Sequence, residues 1–348
     1  MGRKDAPQKK ISALQVGSVY IGTVVGAGFA SGREILQFFG YFGLWGIAGL
    51  ALATFLFFVL GMKVMLTASR TGSGSYRQLI DTIGGRLLGP PINFVITLFL
   101  FGILAAMVAG TGAVFEQEFG LPASSGLAVM AGLAGLTVIA GLGRVIDAIS
   151  VVVPFLIMAV LGVGLFQLCT GPVNLSWSAP ESAALPGWHF SGLLYVSYNL
   201  TLSVPLLAPM GTLAAPQTLK KGALVGALGL GLSALLILLA LIAGAPETAG
   251  YEIPMLAVAG RISPAARLIY ALVLVAEVYT TAIGSLYGFV SRLAPVNNFH
   301  FKALTILTAT GAFFAGHMGF SKIVATVYPA MGVAGLIFLA ALALHKPK

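Results

Sequence analysis

Residues 22–32 read Gly22-Thr23-Val24-Val25-Gly26-Ala27-Gly28-Phe29-Ala30-Ser31-Gly32, with four glycines in eleven residues near the middle of a long apolar segment. Because glycine costs about 1 kcal/mol relative to alanine inside a helix, this run is a predicted point of unwinding. Backbone groups freed at membrane depth are costly unless they line a cavity or bind something. Close packing of helices through small residues is a second interpretation, since Gly22 and Gly26 form a GxxxG pattern.

The composition around this run excludes a soluble globular domain. Of the 348 residues, 58% are hydrophobic and only 8% are charged, whereas a soluble domain carries about 25% charged residues. The 45 glycines and 17 prolines are typical of membrane helices that pack closely and break at functional points. The sequence contains no phosphate-binding loop, HExxH motif, paired CxxC motif or nucleophile–base constellation. We therefore expect no enzymatic activity and no cofactor.

Apolar segments of about 20 residues, enough to cross a bilayer, predict an all-α polytopic membrane protein with ten transmembrane helices. The predicted spans are residues 13–40, 43–68, 92–117, 123–142, 146–170, 189–212, 219–244, 262–290, 301–317 and 321–344. A proline-containing connection at 171–188 divides the chain into two repeats of five helices, residues 11–171 and 189–345. Because an odd number of helices inverts the second repeat, we predict a 5+5 inverted repeat, an architecture that recurs in transporters.

The placement of basic residues predicts the orientation of this bundle. Every Lys and Arg except Arg33, Arg261, Arg267 and Lys322 falls on the side of the N-terminus in the ten-helix arrangement. Since short cytoplasmic connections carry the excess of positive charge, we predict that both termini are cytoplasmic. The net charge of +9 then reflects topology and contact with anionic lipids on the cytoplasmic side, and nucleic acid is not needed to explain it. The sequence indicates no oligomeric state.

The sixth span contains a second candidate interruption, at the corresponding place in the second repeat. Its centre reads Ser197-Tyr198-Asn199-Leu200-Thr201-Leu202-Ser203-Val204-Pro205, and a proline inside a helix removes a backbone donor and clashes with the preceding turn. An ordinary proline kink, satisfied by serine and threonine side chains, is the alternative. We predict that helices one and six are both broken. Interrupted segments at matching positions in two repeats indicate a transporter's central site, so we expect the substrate to bind there.

The first break predicts sites for charged groups. The half-helix that begins near Phe29 would present free N–H groups to a carboxylate or another anionic group of a substrate. Unwound carbonyls at Gly22 and Val25 would suit a cation. Arg33 and Glu34 follow the break towards the outside, where they would close an outer gate or form a local ion pair at the membrane surface.

An acidic residue lies in the middle of the eighth span. Glu277, Thr280, Thr281 and Ser285 follow helical spacing and therefore share one face. An ionisable group at this depth is costly and by default marks a functional site. The oxygens of this face would bind a hard cation such as Na⁺, whereas a dehydrated Glu277 could instead carry a proton. A glutamate that merely joins two helices is the alternative.

The glycine-rich segment resembles a known superfamily. Residues 22–28 resemble the first helix of the amino acid–polyamine–organocation (APC) transporters, which have the LeuT fold. Residues 25–39, Val-Gly-Ala-Gly-Phe-Ala-Ser-Gly-Arg-Glu-Ile-Leu-Gln-Phe-Phe, resemble the YkvI-like bacterial membrane proteins within it. The resemblance implies alternating access in a bacterial inner membrane, with substrate held by helices one and six and often a cation between helices one and eight.

Carried over to this sequence, the resemblance implies a cation site at the carbonyls of Gly22 and Val25 and the hydroxyls of Thr280 and Thr281. Glu277 departs from the sodium-coupled relatives, which supply only a backbone carbonyl there, so the coupling ion could be Na⁺ or H⁺. The candidate coupling residues are Gly22, Val25, Glu277, Thr280, Thr281 and Ser285, and the candidate substrate-binding residues are Gly26, Ala27, Gly28, Phe29, Ser197, Tyr198, Asn199 and Thr201.

Taken together, these features predict a cation-coupled secondary transporter of a small amino-acid-like or related polar organic solute, with Na⁺ as a candidate coupling ion. A non-transporting ligand sensor with the same fold is the alternative. The loop at 70–91 and the short tails leave little room for a signalling module, which argues against a sensor. A channel would need a continuous polar stripe, and only the eighth helix shows one.

Overall fold

The computed structural model describes residues 11–73, 76–140, 155, 158–170, 185–244, 250–295 and 298–345. Within these ranges the regular structure is entirely helical, because a helix satisfies its backbone hydrogen bonds internally where no water is available. Parts of the predicted fifth span (146–154, 156 and 157) and of the predicted connection (171–184) lie outside the described residues.

The helices are numbered in chain order. The first half contains α1 (Ala13–Val24), α2 (Ala27–Ala30), α3 (Arg33–Phe38), a 3₁₀ turn (Gly40–Phe42), α4 (Leu44–Thr71), α5 (Tyr76–Phe119), α6 (Ala123–Ala140) and α7 (Met158–Thr170). The second half contains α8 (Trp188–Leu213), α9 (Pro216–Gly244), α10 (Pro254–Ile262), α11 (Pro264–Leu293), α12 (Phe299–Gly316) and α13 (Phe320–Leu344).

Seven helices in the described ranges are long and apolar enough to cross a membrane. They are α4, the Leu87–Phe119 part of α5, α6, α8, α9, α11 and α13. The other three predicted spans correspond to the α1–α3 segment, α7 and α12, whose described helices are shorter or less apolar than these seven. Much of the predicted loop at 70–91 is helical, since α5 begins at Tyr76 and bends at Gly85 before the spanning part begins.

The helices pack in two groups with a site between them. One group consists of α1, α4, α8 and α9, and the other consists of α5, α6, α11 and α12. Helix α13 packs against both α8 and α5. Helices α1 and α8 therefore lie on one side of the site. Helix α5 and helix α11, which carries Glu277, lie on the other side.

The predicted break in the sixth helix is absent from the structure, since α8 runs through Pro205 and Pro209 as one helix. Three of the polar side chains before Pro205, Asn199, Thr201 and Ser203, donate to carbonyls of the same helix. Thr201 Oγ1 bonds to Ser197 O at 2.7 Å, and Ser203 Oγ bonds to Asn199 O at 2.8 Å. The alternative drawn from the sequence, a proline-containing helix whose serines and threonines bond to its own backbone, describes α8 better than a broken helix does.

Candidate functional site

The first membrane segment is interrupted at Val25 and Gly26, within the glycine run. Both residues are extended, with φ/ψ of −73°/105° and −133°/−170°. The last hydrogen bond of α1 runs from Val25 N–H to Ile21 O, and the helical pattern resumes where Ala30 N–H donates to Gly26 O. Thr23, just before the break, donates to Ser203 Oγ of α8 at 2.8 Å, so the interruption is tied to the neighbouring helix.

Beyond the interruption the chain turns again after four residues. Gly32 ends α2 in the left-handed region at φ 77°, where an L side chain is strained, and a Cβ there would also press on Met255 at 2.8 Å. The predicted half-helix starting near Phe29 is therefore two short helices, α2 and α3, rather than one. Its N-terminus is correspondingly a weaker anion site than expected, because a macrodipole needs aligned peptides over several turns.

The turn at Gly32 directs Glu34 towards the interior of the bundle. The side chain is 6% exposed, and its Oε2 accepts a hydrogen bond from the Tyr198 hydroxyl of α8 at 2.5 Å. The carboxyl group also packs directly on Gly28, where an added Cβ would collide with it. Glu34 therefore occupies the surface of the glycine segment that was expected to receive an anionic group of the substrate.

The carboxyl group of Glu277 on α11 has a different environment. It is 3% exposed, and its Oε1 accepts only a long hydrogen bond of 3.5 Å from Thr281 Oγ1. Within the described residues its Oε2 has no hydrogen-bond partner. The break in α1 faces this group, since a Cβ built on Gly26 would lie 3.6 Å from Thr281 Oγ1. A buried acceptor without a partner is costly, so this oxygen is a natural ligand for a proton or a cation.

These elements enclose a central cavity of about 280 Å³. It is lined by Gly22, Thr23, Val24, Val25, Gly26, Ala27, Gly28, Glu34, Leu100, Ile103, Met107, Tyr198, Asn199, Leu202, Leu206, Glu277, Thr280, Thr281, Gly284, Ser285 and Tyr328. The structure thus brings together all six candidate coupling residues and five of the eight candidate substrate-binding residues.

The other three candidate substrate residues, Phe29, Ser197 and Thr201, are buried outside the cavity lining. Ser197 Oγ donates to Gly332 O of α13 at 2.7 Å, and a Cβ on Gly335 would press on both Ser197 and Thr201. Both side chains therefore lie on the face of α8 that packs against α13, opposite the face that carries the cavity residues. Helical spacing separates the two faces, but only the packing of α13 decides which of them is covered.

The two predicted gate residues are separated by the fold. Glu34 lines the cavity, whereas Arg33 does not and donates to Tyr251 O at 3.4 Å. Sequence reasoning also missed Tyr328 of α13, whose ring centroid lies 5.4 Å from that of Tyr198. The available signal was a tyrosine next to Pro329 in the middle of an apolar span.

The two ends of the bundle differ. At one end, called the latched end, Arg267 of α11 bonds to both carboxylate oxygens of Glu118 at 2.7 and 2.9 Å. At the same end, Glu252 accepts bonds of 2.6 Å from the backbone and side chain of Ser321. The opposite end, called the open end, carries Arg292 of α11, which bonds to Thr97 Oγ1 at 3.2 Å.

A larger cavity of about 920 Å³ lies towards the open end. Asp81, Asn93 and Arg292 are among its lining residues. It shares Leu100, Leu202, Leu206 and Gly284 with the central cavity, so the two cavities adjoin. The central cavity is therefore approached from the open end, while an ion pair and hydrogen bonds tie the helices together at the latched end.

An interrupted first helix, packed with α8 and α11 around a central cavity, is the arrangement of the LeuT-fold transporters. The structure of MhsT in complex with L-phenylalanine matches with a TM-score of 0.63 at 15% identity, covering 96% of this chain and 90% of that chain. Inward-facing Mhp1 gives 0.62 at 15% identity, with coverages of 96% and 76%. A substrate-bound Na⁺-coupled sialic acid symporter gives 0.59 at 13% identity, with coverages of 96% and 79%. These likenesses show the fold.

Sequence comparison identifies the family. The membrane protein YkvI of Bacillus subtilis (strain 168) is 33% identical over 351 residues, which cover 97% of both chains. The protein YyaD of the same organism is 26% identical over 329 residues, covering 93% of this chain and 94% of its own. The chain therefore belongs to the YkvI family of multi-pass membrane proteins, and the resemblance seen in the glycine segment is confirmed. No protein-family model matches the chain.

Proposed function

We propose that the chain is a secondary active transporter that couples the movement of a small amino-acid-like or related polar organic solute to Na⁺ or H⁺. One observation carries the proposal: the interruption after α1 and the Glu277 face of α11 meet in the central cavity, where Glu277 Oε2 lacks a partner among the described residues. Unsatisfied oxygens at this depth are stable when a cation or a proton occupies them. Glu277, Thr280, Thr281, Ser285 and the backbone at Gly22–Val25 would form this coupling site.

The geometry of the two ends supports alternating access. A cavity that adjoins a large opening at one end and is closed by polar contacts at the other has the shape of a transporter open to one side. Transport would require the contacts at the latched end to separate as the open end closes. In this scheme Arg33 and Glu34 would contribute to the gate, and Glu34 would in addition face the solute.

The similar structures support the same function by analogy. Their names describe an L-phenylalanine complex, an inward-facing state and a Na⁺-coupled symporter. In keeping with that fold, we propose ten spans in two inverted repeats, residues 11–171 and 189–345. We also propose a bacterial inner-membrane location with both termini in the cytoplasm, which would make the open end cytoplasmic and place it near anionic lipids.

Uptake into proteoliposomes tests the function directly. Full-length protein would be reconstituted and given labelled amino acids, amines and nucleobases, each with an inward Na⁺ gradient, a pH gradient or no gradient. We expect one solute class to accumulate only under one of the two gradients, and an ionophore that collapses that gradient should abolish the accumulation. Accumulation that ignores both gradients across the panel would contradict coupling. Binding that stabilises the protein without any accumulation would favour a sensor.

A further inference from the structure

Acidic side chains line the central cavity. Glu34 and Glu277 supply two carboxyl groups, and among the lining residues that the structure describes there is no Lys, Arg or His. Arg292 lines the adjoining larger cavity and donates to Thr97 Oγ1 and to Asn93 O near the open end. Carboxyl groups without a basic neighbour favour a cation over an anion, because opposite charges attract and like charges repel each other.

The position of Glu34 argues against a solute with a free carboxylate. Its carboxyl group packs on Gly28 and is held there by the Tyr198 hydroxyl. A solute carboxylate at the same backbone segment would have to displace that group or lie beside it, and two carboxylates that share a site repel each other. The backbone segment that a substrate anion would need is already occupied by a carboxylate of the protein.

The remaining walls suit the body of an organic cation. Tyr198 and Tyr328, with ring centroids 5.4 Å apart and planes tilted by 52°, both line the cavity, and aromatic rings attract ammonium groups. Apolar side chains complete the lining: Leu100, Ile103 and Met107 from α5, and Leu202 and Leu206 from α8. A volume of about 280 Å³ lies at the lower limit of small-molecule sites, which favours a small solute.

We infer that the transported solute is a small organic cation, a primary or substituted amine without a carboxylate, whose ammonium group is bound by Glu34 beside Tyr198 and Tyr328. This inference rests on the proposed function and narrows its substrate class. Glu277, on the other wall, is then left for the coupling cation. In this arrangement Glu34 binds the solute and Glu277 binds the coupling ion.

Solutes that share one carbon skeleton and differ in charge test the inference. The probes are isoamylamine (cation), leucine (zwitterion) and 4-methylpentanoate (anion), together with phenethylamine, phenylalanine and 3-phenylpropionate. Their effects on the thermal unfolding of the full-length protein in detergent, and their accumulation in proteoliposomes, would be measured. In at least one skeleton we expect the amine to act at a concentration at least tenfold below that of the zwitterion, and the anion to have no effect.

A substitution at Glu34 tests whether this residue causes the preference for amines over zwitterions. Glu34→Gln should weaken amine binding at least tenfold and reduce the preference over the zwitterion, whereas the same substitution at the exposed Glu116 should change neither. If Glu34→Gln does not fold, Tyr198→Phe, which keeps the carboxyl group but removes its hydrogen bond, should weaken amine binding by a smaller factor. An amine preference that persists unchanged in a folded Glu34→Gln protein would overturn the assignment to Glu34.

The possible outcomes separate the inference from the proposed function. Gradient-driven accumulation of the zwitterions in preference to the amines would overturn the inference and leave the transporter intact. Failure of every amine to bind or accumulate would also overturn it, and the proposed function would then be judged on the broader solute panel. Binding of amines without gradient-driven accumulation would support the substrate class and count against coupled transport.

Discussion

Two carboxyl groups, Glu34 and Glu277, are buried in one cavity, and their surroundings differ. Glu34 is fixed by the Tyr198 hydroxyl and by close packing on Gly28. Glu277 has one long bond to Thr281 and one oxygen without a partner among the described residues. Neighbouring side chains fix the position of the Glu34 carboxyl group, whereas a buried oxygen without a partner is costly unless a proton or a cation occupies it. This contrast is the basis of the proposed division between solute binding at Glu34 and ion coupling at Glu277.

Neutralising Glu277 should have the largest effect. Glu277→Gln keeps the size of the side chain and removes its charge, and leaving a buried cation without its charged partner costs about 3 kcal/mol or more. We expect gradient-driven accumulation in proteoliposomes to fall by about 100-fold or more, while the purified protein remains folded by circular dichroism and gel filtration. The same change at exposed Glu116 should leave uptake unaltered. Wild-type accumulation by Glu277→Gln would remove this residue from the coupling site.

Displacing Glu34 without changing it should have the next largest effect. In Gly28→Ala the new Cβ collides with the Glu34 carboxyl group, so the side chain must move or the backbone must shift, at a cost of about 1–3 kcal/mol. We expect uptake of isoamylamine to fall about tenfold or more. The matched variant is Gly22→Ala, which also lines the cavity but has no atom within 4 Å of the added Cβ. Equal losses in the two variants would show that the glycine segment, and not the Glu34 contact, is responsible.

Removing the hydroxyl that holds Glu34 should have a moderate effect. Tyr198→Phe deletes a hydrogen bond to a carboxylate, worth about 1.5–3 kcal/mol in proteins. We expect solute affinity, measured by thermal stabilisation, to fall by roughly tenfold. Tyr20→Phe removes another buried hydroxyl bond, to Phe57 O at 2.8 Å, outside the cavity. It should lower thermal stability without changing affinity, and a loss of affinity in both variants would point to a general loosening of the bundle.

Weakening the surroundings of Glu277 should have the smallest effect. Thr281→Val removes the donor of the 3.5 Å bond to Glu277, and such a long bond contributes about 0.5–1 kcal/mol at most. We expect the cation concentration for half-maximal uptake to rise about two- to fivefold. Thr305→Val, which removes a hydroxyl bonded to Phe301 O in α12, should not change it. A Thr281→Val protein as inactive as Glu277→Gln would show that the hydroxyl is itself an essential ligand.

That the four residues of the Glu277 face lie together could be predicted from the sequence, because they are on one continuous helix. Glu277, Thr280, Thr281 and Ser285 are related by helical spacing alone, and all four line the cavity. The interruption of the first segment was equally accessible, since the cost of several glycines in one turn is a local property. By contrast, α8 is continuous through Pro205. A proline in the sequence shows that one backbone donor is missing, but it does not show how neighbouring side chains compensate for the loss.

The role of Glu34 could not be predicted in the same way. Next to Arg33 in the sequence it resembles half of a surface ion pair, and it enters the cavity only because the left-handed turn at Gly32 redirects the chain after the break. Likewise Ser197 and Thr201 were assigned to the site together with Tyr198 and Asn199, although their face of α8 is covered by α13. The contacts of Glu34 with Tyr198 and of Ser197 with α13 join segments that are far apart in the chain, so only the packing of the helices determines them.

By itself the sequence determined that the chain resides in a membrane, where most of its helices lie, and which side chains share a face of α11, because apolar composition and helical period are local properties. Only the tertiary structure decided that Glu34 meets Gly28 and Tyr198, that Glu277 Oε2 is left without a partner among the described residues, and that the cavity is approached from one end. These features depend on how helices from the two halves of the chain pack against each other, and no short stretch of sequence specifies that packing.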